Sequence, residues 1–220
     1  APNAKGNHLV FSLEMSAEQL LQRLLAQATD IDSQKLRSAR LSDEEMNRTL
    51  RALEVLAEAN IFIDDTPAIT PLQMHTKCRR LQMEYGLDLV IVDYLQLMSP
   101  DTKTDTRVQE VSYISRYLKV LARKLKVPVL AAAQLSRAVE SRPDRQPVLS
   151  DLRESGSLEQ DADVVMFINQ PNSEENSPLH TKARLAIAKH RNGPTNPGIE
   201  LIFLKRLAMF RDQYYGPVPE

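Results

Sequence analysis

Residues 87–98 read Leu-Asp-Leu-Val-Ile-Val-Asp-Tyr-Leu-Gln-Leu-Met. The apolar run Leu89, Val90, Ile91, Val92 stops at the carboxylate Asp93. So short and so apolar a run predicts a strand buried on both faces of a parallel sheet. Open α/β sheets bind ligands beyond the carboxyl ends of their strands, where Asp93 would stand. In nucleotide hydrolysis an acid at such a place holds Mg²⁺, usually through water. An acid that merely ends a strand is the ordinary alternative, and this stretch alone does not separate the two.

Outward from that strand, the chain has the composition of a globular domain. Its 220 residues are 42% hydrophobic and 26% charged, enough for one sizeable core. A formal charge of −1 argues against a polybasic nucleic-acid binder but leaves room for a local basic stripe. One cysteine, Cys78, excludes an intrachain disulfide and a cysteine-only metal cluster, and fits a reducing cytoplasm. No apolar segment has the length of a membrane span, so no membrane partner is expected.

Short apolar runs at 8–13, 61–63 and 128–133 predict further strands like the one at 89–92. Helices are predicted between them. Ser16 with Gln19, and Ser42 with Glu45, have capping-box spacing; Thr70-Pro71 places proline in a first helical turn; Gly86 marks a helix end. A helix is also expected from about 109 to 126. Strands at 164–168, 183–188 and 199–203 follow, separated by turn-rich segments. Alternating strands and helices imply a parallel sheet with right-handed crossovers, giving way to antiparallel strands. The segment 136–156 is long for a loop in a compact domain, and such loops tend to be functional or disordered.

Polar residues stand where the strands end: Glu14, Asp64 and Asp65, Asp93, Gln134, and the cations Lys189 and Arg191 around His190. Nucleotide hydrolysis uses these types: an acid to activate water, an acid for the metal, a polar sensor of the γ-phosphate, and cations for transition-state charge. Each has an ordinary reading too. Glu14 suits a helix N-terminus, Asp64-Asp65 before Thr66-Pro67 suits a turn, and Gln134, Lys189 and Arg191 suit a solvated surface. Their joint placement favours a site. Arg137, Arg142, Arg145 and Arg153 punctuate the long loop, which has no aromatic residue. Phosphate-backbone contact with little sequence preference is the functional reading of such a loop, and a salt-bridged solvated loop the alternative.

Five stretches then occur in order: Phe11-Ser12-Leu13-Glu14-Met15; Asp93-Tyr94-Leu95-Gln96-Leu97-Met98; Gln134-Leu135-Ser136-Arg137; Asp151-Leu152-Arg153-Glu154-Ser155-Gly156 running on to Glu159-Gln160-Asp161-Ala162-Asp163; and Arg191-Asn192-Gly193-Pro194. Together they closely resemble the RecA-like C-terminal motor domain of the DnaB family of bacterial replicative helicases, from about residue 8 to 216. The resemblance implies a single α/β domain over 1–220, a three-layer α/β/α arrangement with a mostly parallel central sheet and antiparallel C-terminal strands. It implies a homo-hexamer that encircles single-stranded DNA and moves 5′ to 3′ on ATP or another nucleoside triphosphate with Mg²⁺, in the bacterial cytoplasm at the replication fork. A primase and a helicase loader are the implied partners. By position, Glu14 matches the catalytic base, Asp93 the metal and nucleotide acid, and Gln134 the γ-phosphate sensor. Lys189 and Arg191 match a cation pair inserted into the neighbouring subunit's site, with Arg191 as arginine finger. Arg153, Glu154 and Gly156 match the loop that follows the DNA backbone.

Two departures stand out. The family commonly carries Gln where this chain has His190. None of the six glycines stands in a G-x-x-x-x-G-K-[ST] phosphate loop, which in the family precedes the 11–15 strand, so the domain is expected to be N-terminally truncated. A non-catalytic RecA-like clamp or oligomerisation module, and another RecA-like ATPase such as a recombinase, are the alternatives. Backbone amides and the lysine of that loop cradle the phosphates. These 220 residues alone are therefore expected to bind ATP weakly and hydrolyse none measurably. Robust Mg-ATPase activity of the purified chain would contradict this.

Overall fold

A computed structural model describes residues 6–142, 146–152, 156–170 and 180–213. The chain falls into two units. One draws on Ala1–Leu21, Thr49–Ser136 and Leu149–Ala162, the other on Gln22–Arg48, Arg137–Val148 and Asp163–Glu220.

The first unit is built on β1 (His8–Ser12), β2 (Ile61–Asp64), β3 (Leu89–Asp93) and β4 (Val129–Ala131). All four pair in parallel, in the order β2-β1-β3-β4. In sequence, α1 (Ala17–Thr29), the short α2 (Ser33–Arg37) and α3 (Asp43–Glu58) lie between β1 and β2. The crossovers to β3 and β4 are made by α4 (Pro71–Glu84) and α5 (Arg107–Leu125). Phe11 from β1 and Val90 and Val92 from β3 are fully buried, in one core with Met74 and Cys78 of α4 and Ile114 and Leu121 of α5. The alternate residues Leu89 and Ile91 are only half-buried. Burial of the 89–92 strand is thus complete on one face alone, and the run is apolar on both faces without being equally covered.

The helix starts follow the capping chemistry of the sequence. Ser16 and Gln19 exchange hydrogen bonds of 3.2 and 3.3 Å, and Ser42 and Glu45 bonds of 2.9 and 3.2 Å. Thr70 and Gln73 form the same reciprocal box with Pro71 in the first turn. These bonds satisfy amide groups that a helix leaves without partners. Gly86 closes the segment after α4 at φ +84°, a conformation glycine adopts without steric cost.

The second unit carries a four-stranded antiparallel sheet ordered β5-β6-β7-β8. Its strands are β5 (Val164–Asn169), β6 (His180–His190), β7 (Asn196–Leu204) and β8 (Met209–Asp212). In β5 the buried Val165 and Phe167 alternate with exposed Val164, Met166 and Ile168. The parallel set and the antiparallel set expected from the sequence are both present. Strand β8 and the short helices α2 and α6 (Gly156–Asp161) are additions to that expectation. They are too short to show a periodicity of their own.

The Asp64-Asp65 pair shows how the end of β2 is fixed. Asp64 accepts the Thr66 backbone N–H at 3.1 Å, the turn that its sequence context predicts. It also pairs with the Lys77 ammonium, which in turn donates to the Thr66 hydroxyl at 2.8 Å. Burial pushes the Asp64 carboxyl up, but the hydrogen bonds from Lys77 and Thr66 outweigh it and hold the group below its ordinary 3.8. Cys78, beside Lys77 in α4, is pushed up to about 12, first by burial and then by the Asp64 charge, so its thiol is a packing group at neutral pH. A carboxyl depressed in the folded state contributes stability above its unfolded value and loses it as pH falls through the folded value. Lys77→Met should therefore cost about 1 kcal/mol near neutrality, discounted for the exposure of the lysine. The difference from the parent should vanish in acid well below 3.8. Urea unfolding of the full-length protein at the two pH values checks both statements.

Candidate active site at the strand ends

Parallel pairing places the carboxyl ends of β1, β3 and β4 side by side. Ser12 of β1 stands opposite Asp93 of β3, and Val92 opposite Ala131 of β4. Glu14 follows two residues after Ser12, and Gln134 three residues after Ala131. Three of the sequence-predicted residues, Glu14, Asp93 and Gln134, are brought to one edge of one sheet.

The turn that carries Glu14 is pinned on both sides. The Ser12 hydroxyl, 1% exposed, donates to the Met15 carbonyl at 2.7 Å. The Leu13 amide donates to the Asp93 carbonyl at 2.8 Å. One step further on, Asp65 accepts the Ala17 amide at 3.0 Å and so caps α1 from another strand end. A carboxylate on a helix N-terminal amide is favoured by charge as well as by the bond. Glu14 itself is exposed. Sequence reasoning assigned Asp65 to a turn; the capping role links β2 to the Glu14 segment, and nothing in the local sequence reports a bond across 48 positions.

Asp93 is half-buried and Gln134 exposed. The carboxylates of Glu14 and Asp93 and the amide of the Gln134 side chain form no hydrogen bond or ion pair with the described residues. Among the described residues no group of three or more His, Cys, Asp and Glu is placed to enclose an ion. A lone carboxylate at a strand end, such as Asp93, is the donor type that Mg²⁺ takes, with water and phosphate oxygens completing its shell.

Lys189 and Arg191 belong to the second unit. Lys189 lies near the end of β6, opposite Val165. Arg191 follows the strand directly. Its backbone N–H donates to the Asp163 carbonyl at 2.8 Å, and its guanidinium donates to the Asp163 carboxylate at 2.7 Å. Both side chains of that ion pair are about half exposed, at 47% and 52%. Asp163 thus holds the arginine by main chain and side chain at once, a partner that the sequence motif contains but does not identify. His190, the departure from the family pattern, has Nδ1 3.3 Å from the Pro194 carbonyl oxygen. A side chain on Gly193 would collide with the His190 ring, so glycine lets the turn after β6 lie against the imidazole.

The long 136–156 segment is partly ordered by its own bonds. The Ser136 amide donates to the Asp151 carbonyl at 3.0 Å, and 3-10 turns occupy Arg137–Val139 and Leu149–Leu152. Arg142, one of the arginines read as phosphate contacts, donates to the Gln146 carbonyl at 2.9 Å. Gly156 opens α6, is exposed, and has no atom within 4 Å of a side-chain position. Arg153 and Glu154, like Arg145, lie outside the described residues.

The architecture recurs in solved structures. An ATPase domain superposes with a TM-score of 0.88 at 36% identity, over 95% of this chain and 75% of that one. A DnaB-like replicative helicase, solved to describe its interactions with primase, gives 0.87 at 37% identity, over 95% and 51%. This likeness makes the fold RecA-like. Among curated proteins, the replicative DNA helicase DnaB of Mycobacterium intracellulare is 49% identical over 188 residues, 85% of this chain and 33% of that protein. The DnaB of Geobacillus stearothermophilus is 45% identical over 212 residues, 96% and 46%. The chain therefore spans between a third and a half of the length of these relatives. The sequence model of the DnaB-like helicase C-terminal domain matches residues 1–212; strand ends, sheet order and sequence agree, and the chain belongs to that family.

Proposed function

We propose that residues 1–220 are the motor part of a replicative DNA helicase that couples hydrolysis of ATP, or another nucleoside triphosphate, to 5′-to-3′ movement on single-stranded DNA and unwinding of the duplex. The observation that carries this reading is the row Glu14, Asp93, Gln134 at adjacent parallel strand ends, with all three side chains unengaged by the described residues. In this reading Glu14 accepts the proton of the attacking water, and its turn is fixed so that the carboxylate reaches outward from the sheet. Asp93 orients the metal through water, and Gln134 contacts the γ-phosphate. Mg²⁺ held there would supply neutralisation of the charge on the phosphates. Lys189 and Arg191 reach the nucleotide of a neighbouring subunit in a homo-hexamer, in which each site is completed in trans. Arg153, Glu154 and Gly156 contact the DNA backbone in the channel. Primase and a loader bind the full-length protein, which works in the bacterial cytoplasm at the replication fork. The 220 residues lack the phosphate-loop motif and are inactive by themselves.

Two substitutions in the full-length protein test this. Arg191→Ala should lower hydrolysis by about 10³-fold or more while nucleotide affinity stays within a few-fold, the signature of an arginine finger. Loss of binding with unchanged turnover at saturation would remove Arg191 from that role. Arg153→Ala should weaken single-stranded DNA binding similarly for all sequences and flatten its salt dependence by about one phosphate contact. Equilibrium titration across a salt series reads this, and an unchanged slope takes Arg153 off the DNA.

A further inference from the structure

Gln96 is a buried amide in a segment that is otherwise apolar. It sits in the 3-10 turn Leu95–Leu97 directly after β3 and is 8% exposed. Its side chain spans to the segment after β4 and takes both main-chain groups of Gln134. Nε2 donates to the Gln134 carbonyl at 3.2 Å, and Oε1 accepts the Gln134 N–H at 3.2 Å. The two bonds fix which end of the amide faces which group. The turn is itself secured. The Leu95 amide donates to the Ala132 carbonyl at 3.1 Å, and the Arg107 guanidinium, paired with Glu110 at 2.7 Å, donates to the Gln96 carbonyl. Gln134, by contrast, lies beyond the last paired residue of β4 and has an exposed, unengaged side chain. Among the described residues, both of its backbone groups are held by the Gln96 side chain.

We infer that Gln96 is a positioning residue for Gln134: its side-chain amide acts as an added rung of the sheet and sets the direction in which the Gln134 side chain leaves the strand. The inference rests on the proposed role of Gln134 as γ-phosphate sensor. The clasp also joins the Asp93 strand end to the Gln134 strand end. A displacement at Asp93 is thereby transmitted to Gln134 through a short bonded path.

The chemistry of the clasp supplies its own test. An amide offers a donor and an acceptor at every pH, whereas a glutamate at 96 offers a donor only when protonated. Ionised, it would aim a carboxylate oxygen at the Gln134 carbonyl in a buried place; that repulsion and burial raise its pKa, against the Gln134 N–H and the Arg107 guanidinium, which favour the charged form. In the full-length protein, Gln96→Glu should lower kcat for ATP about tenfold near pH 8.5 and recover to within about threefold of the parent near pH 6. The nucleotide KM should stay within about twofold, with melting above the assay temperature at both pH values. Gln96→Met, similar in volume and without charge, should be about tenfold slower at both pH values. It also carries the test if the glutamate variant does not fold. A Gln96→Glu deficit that does not shrink in acid, or a Gln96→Met kcat equal to the parent, overturns the inference. Gln134→Ala separates the two levels of the argument. Normal hydrolysis in that variant overturns the sensor role and the inference with it. Defective hydrolysis there, beside a normal Gln96→Met, overturns the inference alone.

Discussion

The parallel register between β1 and β3 is the constraint on which the candidate site depends. Ser12 stands opposite Asp93, and the Leu13 amide closes the pair by donating to the Asp93 carbonyl at 2.8 Å. Side chains alternate faces along a strand, so a slip of one residue would turn Phe11 out of the core and carry Glu14 away from Asp93 together. Burial of Phe11, Val90 and Val92 therefore does more than stabilise the sheet. It fixes the relation between two carboxylates that make no bond to each other. The apolar face selects the register, and the register selects the geometry of the polar edge.

Much of this was legible in the residues themselves. The four parallel strands are short apolar runs ended by polar groups, and the helix starts announce themselves through Ser16, Ser42 and Thr70, whose side chains bond within three residues. Local chemistry of that kind is visible in a sequence because both partners lie in one window. Glu14, Asp93 and Gln134 were visible for a second reason: they interrupt or follow apolar runs, and a parallel sheet puts such interruptions at one edge.

What escaped was chemistry between distant positions. Asp65 had a sufficient local explanation as a turn residue, and its bond to the Ala17 amide depends on β2 and β1 being neighbours. Gln96 sits among leucines, and nothing in that local context shows its burial at 8% or its two bonds to Gln134. Complete two-sided burial of β3 was an overreach of composition: apolar side chains on both faces do not establish that both faces are covered. Arg142 spends one donor on the carbonyl of Gln146, a local bond that its sequence context does not show.

The double hold of Asp163 on Arg191 has a mechanical meaning. It staples the start of β5 to the end of β6, an eleven-residue strand paired with β5 on one side and β7 on the other. A pull on the guanidinium along the strand direction would load first the β5–β6 ladder, which pairs to His190, and only beyond Ile187 the β6–β7 ladder as well. That is loading in shear, which shares tension over many bonds at once, in place of peeling, which breaks them singly.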